Sequence, residues 1–251
     1  MSKGFSYGSS RDDSLEERIL FAMRRSETYG FLSAAFNQLP DMQLAKNLQN
    51  MKEDDILSSF AVEGELSQEM IEGLELIQNY INQSIQKQLE DIKTELAVDR
   101  TRLVRGIKQG YGPPPPYESI YIGSDRKPET NVYVELGEVY SSAKTAVPEE
   151  VKESPDFIGI ELEFMRHLAQ REAQAWEASQ TKEAIDVLEK QNNFLQEHIA
   201  LWIPRFCTLM LKEAKTDFYR GIALLTKSFV LYEAEMVPEY MDWVCASDSL
   251  S

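Results

Sequence analysis

Apolar residues recur three and four positions apart through most of this chain, and that helical period constrains the fold more than any other feature of the sequence. Met70, Leu74, Ile77, Ile81 and Ile85 show it most clearly, and it continues through Leu89, Ile92 and Leu96. Strict apolar and polar alternation, Val/Ile/Thr runs and Asn-Gly turns are missing, and 12 glycines in 251 residues are too few for a β architecture. The fold class is therefore all-α. A chain of this length can bury roughly 70% of its unfolded surface, so the expectation is a single helical-bundle domain of about nine or ten helices, without internal repeats.

Local signals place the elements. Ser14 is a cap for a first helix carrying Leu15, Ile19, Ala22 and Met23, which Leu39-Pro40-Asp41 ends. Short helices are expected near 41–51 and 53–61, and Ser67 opens a span to about Arg105 that reads as two helices. Helical signals stop at Gly106–Pro128, where Pro113 to Pro116 lack amide donors and favour extended geometry. Loops this long inside a compact domain are often functional. A helix at Thr130–Lys144 precedes a Pro/Glu-rich connection at 147–154, a candidate hinge. Ser154 as N-cap, Pro155 in the first helical position and Asp156 in the first turn then predict a helix whose buried face holds Ile158, Leu162, Met165, Leu168 and Trp176. Helices near 180–197, 199–213 and from a Thr216 cap to about Val237 complete the domain, expected over 14–237 with tails at 1–13 and 238–251.

Charge and composition narrow the function. With 42 acidic against 26 basic residues, the net charge of -16 repels phosphate backbones and anionic lipid, so neither nucleic acid nor a stable membrane association is expected. No window approaches the roughly 20 apolar residues of a membrane span, and the polar N-terminus lacks an apolar targeting core. Arg24-Arg25 faintly imitates a twin-arginine export signal, but it lies in a helical pattern with no apolar run after it. Cys207 and Cys245 lack redox or zinc spacing and suit a reducing compartment, the cytoplasm by default.

Catalytic templates fail in turn. The residues three before His167 and His198 are Phe164 and Leu195, so the Glu-x-x-His pairs of a di-metal site are absent. Zinc-protease, P-loop, dinucleotide and nucleophile-elbow motifs are absent too. No catalytic residue, metal site or cofactor is expected, and the chain reads as a binding protein. The proline run admits two readings, an exposed ligand for a signalling adaptor or a segment packed on the helices through Tyr117, Ile120, Tyr121 and Ile122. Phe194, Trp202, Phe206, Phe218 and Tyr219 read as core.

Five short strings, in order, resemble the TorD/DmsD/NarJ-type chaperones: Asp99-Arg-Thr-Arg-Leu103, Gly112-Pro-Pro-Pro-Pro-Tyr-Glu-Ser-Ile-Tyr121, Glu153-Ser-Pro-Asp-Phe157 leading into Glu161-Leu-Glu-Phe-Met165, Glu197-His-Ile-Ala-Leu-Trp-Ile-Pro204 and Asp217-Phe-Tyr-Arg220. The resemblance spans roughly Arg18 to Tyr232. It implies an all-helical, non-enzymatic chaperone for the catalytic subunit of a molybdopterin-dependent oxidoreductase, binding its N-terminal leader, often a twin-arginine signal, until the cofactor is inserted. The implied peptide-binding residues are Pro116, Tyr117, Ser119, Tyr121, Glu153, Pro155, Asp156 and Phe157. The family usually has His or Tyr where Phe157 stands, so no titrating role is implied there. Adjacent arginines in a leader call for carboxylates, such as Glu153 and Asp156, and its apolar stretch calls for side chains such as Tyr117, Tyr121 and Phe157. Monomer and domain-swapped dimer both stay open, with 147–154 as the hinge of a swap.

Overall fold

The structure is a computed structural model that describes residues 11–51, 66–106, 111–122, 130–143 and 153–248. Its helices are α1 (Arg11–Asn37), α2 (Met42–Asn50), α3 (Gln68–Ser84), α4 (Leu89–Val104), α5 (Glu118–Ile122), α6 (Thr130–Ser142), α7 (Ile158–Glu177), α8 (Thr181–Phe194), α9 (Ala200–Glu213) and α10 (Asp217–Asp248). A π-helical turn, Leu195–Ile199, joins α8 to α9. Among the described residues there is no strand, and the isolated bridge Tyr117 to Phe157 is antiparallel. The all-α reading holds. The helix expected near 53–61 lies outside the described residues.

Polar caps set several boundaries as the residue types require. Asp41 accepts the Leu44 amide at 2.8 Å and starts α2, Ser67 accepts the Met70 amide at 3.2 Å and starts α3, and Thr216 accepts the Tyr219 amide at 3.3 Å and starts α10. Three expected boundaries move. α7 begins at Ile158, with Phe157 in the N-cap position and no side-chain cap, because Ser154 to Phe157 close a turn instead, the Phe157 amide donating to the Ser154 carbonyl at 3.0 Å. α10 runs on past Val237 to Asp248 with Pro238 inside it. Proline costs that helix one hydrogen bond, but Val237, Tyr240 and Val244 are buried and Tyr240 packs on Phe21 at 4.5 Å between ring centres, which carries the helix onward. Residues 11–13, expected in a tail, already belong to α1.

α1 lies along α7, α7 packs on α8, and α10 is flanked by α3 and α9. Between them sits an aromatic-rich core containing Tyr29, Phe36, Trp176, Phe194, Trp202, Phe206 and Tyr219, of which the last five were expected there from their spacing. A charged cluster centred on Arg25 is buried at its heart. Arg25 of α1 donates from Nε to Glu233 at 2.8 Å, from Nη1 to Glu172 at 3.0 Å and from Nη2 to Gln191 at 2.9 Å. It therefore ties α1 to α10, α7 and α8 at once. Tyr29 and Trp176 add donors to Glu233 and Glu172. Burial alone would lower the guanidinium pKa, yet the charges of Glu233 and Glu172 outweigh it and raise it above the ordinary value. Burial pushes the Glu172 carboxyl up, with Arg25 opposing.

Removing this arginine strands two carboxylates in the core. Arg25→Ala is expected to cost about 3–5 kcal/mol, read by urea denaturation, whereas Glu172→Gln keeps an acceptor for Arg25 and is far milder. The opposite ranking would contradict this account of the core.

Candidate functional site

The proline-rich segment is positioned by the end of α4. Asp99 accepts the Lys215 amide at 3.0 Å, the Thr216 amide at 2.8 Å and the Thr216 hydroxyl at 2.8 Å, so it caps α10 from another helix. Arg102 pairs with Asp99 and donates to the Glu213 carbonyl at the end of α9, while Arg100 donates to the Phe36 carbonyl near the end of α1. The string Asp99 to Leu103 is thus a clamp on three helix ends. Beyond it Gly106 takes φ +58°, the left-handed region, with Pro115 stacked where a Cβ would stand, and Gly112 takes φ +130° against the Arg102 carbonyl. These two glycines turn the chain back onto the bundle.

From there a short backbone splice joins the prolines to the start of α7. The Glu118 amide donates to the Asp156 carbonyl at 2.9 Å, and the Ile158 amide donates to the Pro116 carbonyl at 3.1 Å. Asp156 accepts the Ser119 hydroxyl at 2.6 Å and the Ser119 amide at 3.3 Å. It stabilises a helix start, as its residue type suggested, but that of α5 rather than α7. The rings of Tyr117 and Phe157 meet at 5.5 Å. Tyr117 donates to Glu153 at 3.0 Å, and Arg105 pairs with the other oxygen of Glu153 at 2.9 Å. Burial and then the Glu153 carboxylate push the Tyr117 hydroxyl up to about 12.

Seven of the eight residues expected in the site meet around this splice. Tyr121 faces the other way, donating to the Pro114 carbonyl at 2.7 Å and packing on Trp202 and Phe206. Exposure divides the set sharply. Asp156, Ser119, Phe157 and Pro116 are buried, while Tyr117, Glu153 and Pro155 reach the surface. The buried members shape the loop, and only the surface members can be reached from outside.

Behind the splice lies a cluster that the sequence reading did not assign. Glu118 faces His198 Nδ1 at 3.0 Å, the Trp202 indole donates to Glu161 Oε2 at 3.0 Å, and the Tyr140 hydroxyl donates to the Pro155 carbonyl at 2.9 Å. Burial, then the charges of Glu118 and Asp156, push the Glu161 carboxyl well above the usual range. Glu161 Oε1 receives no donor. The raised pKa keeps a proton on this carboxyl to higher pH than on a free glutamate, which eases the crowding of three buried carboxylates around a single imidazole. Glu161 sits on the same helical stripe as Ile158, Leu162 and Met165, so a carboxylate on an apolar face was the available signal. Among the described residues no group of His, Cys, Asp and Glu is arranged to hold a metal ion.

Comparison with known proteins gives the family. A family model described as the nitrate reductase delta subunit matches residues 63–208, more than half of the chain. The chain belongs to this family, that of the TorD/NarJ-type chaperones. The chaperone protein TorD of Vibrio cholerae is 25% identical over 232 residues, covering 90% of this chain and 97% of its own. TorD of Vibrio parahaemolyticus is 26% identical over 216 residues, 86% and 95% of the two chains, and TorD of Photobacterium profundum 28% over 230 residues, 88% and 97%. The matched family region contains the α4 clamp, the prolines, the splice and the buried cluster. Among the described residues no helix is long and apolar enough to cross a membrane.

The protonated state of Glu161 has a measurable sign. Unfolding frees its proton above roughly pH 4.3, whereas the folded chain keeps it, so this group lowers stability as pH rises from there toward its folded value. Glu161→Gln keeps the acceptor for Trp202 and a donor toward Glu118. It is expected to stay within about 1 kcal/mol of the parent and to gain on it steadily between pH 5 and 8 in denaturation curves. A variant that loses ground over that range would show Glu161 to be ionised in the fold.

Proposed function

We propose that this chain is a cytoplasmic maturation chaperone which binds the N-terminal leader of the catalytic subunit of a molybdopterin-dependent oxidoreductase and holds the apo-enzyme until its cofactor is inserted. The observation that carries the reading is the surface pairing of Glu153 with Tyr117 at the junction of the proline run and α7. It sets a carboxylate beside an aromatic ring, the combination that recognises arginine followed by apolar residues. Asp156 contributes by holding that junction together through Ser119 and does not itself meet the peptide. The net charge of -16 favours the approach of a basic leader. Two free cysteines, one buried and one exposed, fit a reducing compartment.

An apolar cavity of about 170 Å³ lies between α1, α2 and α10, with Phe31, Ala35, Leu48 and Phe218 in its walls. Its lining shares no residue with the splice, and it offers a separate dry surface for the apolar part of a leader, since Tyr121 and Phe157 are already committed to packing. The adaptor alternative requires exposed prolines. Pro113 and Pro116 are buried, and the carbonyls of Pro114 and Pro116 are bonded to Tyr121 and Ile158, so the run offers no free polyproline ligand and that alternative is set aside.

Purification of the tagged chaperone from its native cells is expected to bring down a large molybdopterin-binding subunit. Deleting that subunit's N-terminal segment should release it, and Glu153→Lys, which sets a cation against the leader's arginine, should weaken the complex severalfold. Recovery of the folded chaperone alone, under conditions that preserve other chaperone complexes of this type, would overturn the proposal.

A further inference from the structure

No carboxylate at the candidate site is both reachable and unoccupied, since the unpartnered Asp156 Oδ1 is buried. Glu153 spends one oxygen on the Tyr117 hydroxyl and the other on Arg105, and Asp156 is fully buried against Ser119. A guanidinium arriving from a leader therefore finds no free acid at this turn. It has to displace a donor already there.

The donors differ in how readily they give way. Tyr117 is held by its ring contact with Phe157 and by the backbone bridge between the same two residues. Arg105 is 48% exposed and reaches Glu153 through Nη1 at 2.9 Å. It is the C-cap residue of α4, where the carbonyl end of the helix dipole favours a cation and keeps the side chain nearby when it is unpaired. Gly106, in its left-handed conformation, and Pro115 fix the backbone just beyond. The side chain can thus swing to solvent without disturbing the loop.

We propose that Arg105 is an intramolecular placeholder for the leader's arginine: it occupies Glu153 in the free chaperone and is exchanged for the incoming guanidinium on binding. This rests on the leader-binding reading and deepens it. One ion pair is broken for each one made, so the exchange contributes little net affinity by itself. Peptides that offer only positive charge gain little, and those that also fill the apolar surface are selected.

The test is a thermodynamic cycle on the full-length chain. A fluorescent synthetic peptide with two adjacent arginines followed by an eight-residue apolar run is titrated against the parent, Arg105→Gln, Glu153→Gln and the double variant, each checked for native helicity by circular dichroism. Arg105→Gln is expected to bind about two- to fivefold more tightly, the scale of an exposed ion pair, and that gain should vanish in the Glu153→Gln background. A gain that persists without Glu153 would mean that Arg105 acts only through bulk charge, and unchanged or weaker binding would mean that it is no competitor. Either result overturns the placeholder while leaving leader binding intact. Binding that ignores Glu153→Gln in both backgrounds removes the leader site itself, as does the absence of binding to all four proteins, and the placeholder falls with it.

Discussion

Arg25 is the constraint around which the bundle is organised. A guanidinium cannot be left in an apolar core without acceptors, and its three donor positions can be satisfied only if α7, α8 and α10 each deliver one side chain to the same point on α1. Apolar packing alone is tolerant of small slides between helices. This network is not. It fixes the height of α7 against α1, and so fixes where α7 begins, which is where the candidate site is built.

A second set of polar contacts transmits that order to the proline segment. Helix ends carry unpaired amides and carbonyls, and residues 99–102 serve three ends from one turn of α4. The sequence string that looks like a charged surface patch is buried, and its charges answer backbone groups as much as each other. Because the clamp ends directly at Arg105 and Gly106, the same turn that secures α1, α9 and α10 aims the chain toward the splice with α7. The site is therefore a continuation of the core's polar framework, with its surface members resting on buried ones.

Much of the bundle was legible from spacing and caps. Ser67 and Thr216 act as read, and the aromatic stripe through Trp202 and Phe206 is buried, because helical period and capping depend on neighbours within one turn. The misplacements share a cause. Ser154-Pro155-Asp156 has the residue types of a helix start, but a turn uses the same types, and the choice is made by Ser119, some thirty-seven positions away in sequence. Pro238 reads as a stop, yet burial of Tyr240 and Val244 decides otherwise. Glu161, Glu118 and His198 were unassigned for the same reason. Each is an ordinary surface residue by type, and only the fold brings them together away from water.

The charge of the chain and the chemistry of its site act at different ranges. Net charge works over about a Debye length and raises the encounter rate with a basic segment without choosing among such segments. At contact the balance reverses, since Glu153 is already paired with Arg105 and the carboxylates behind it are buried against His198 and Ser119. An acidic protein whose recognition acids were all bare would retain any polycation that it met. On the proposed leader-binding role, one whose acids are matched from within attracts broadly and holds only those segments whose apolar remainder also fits.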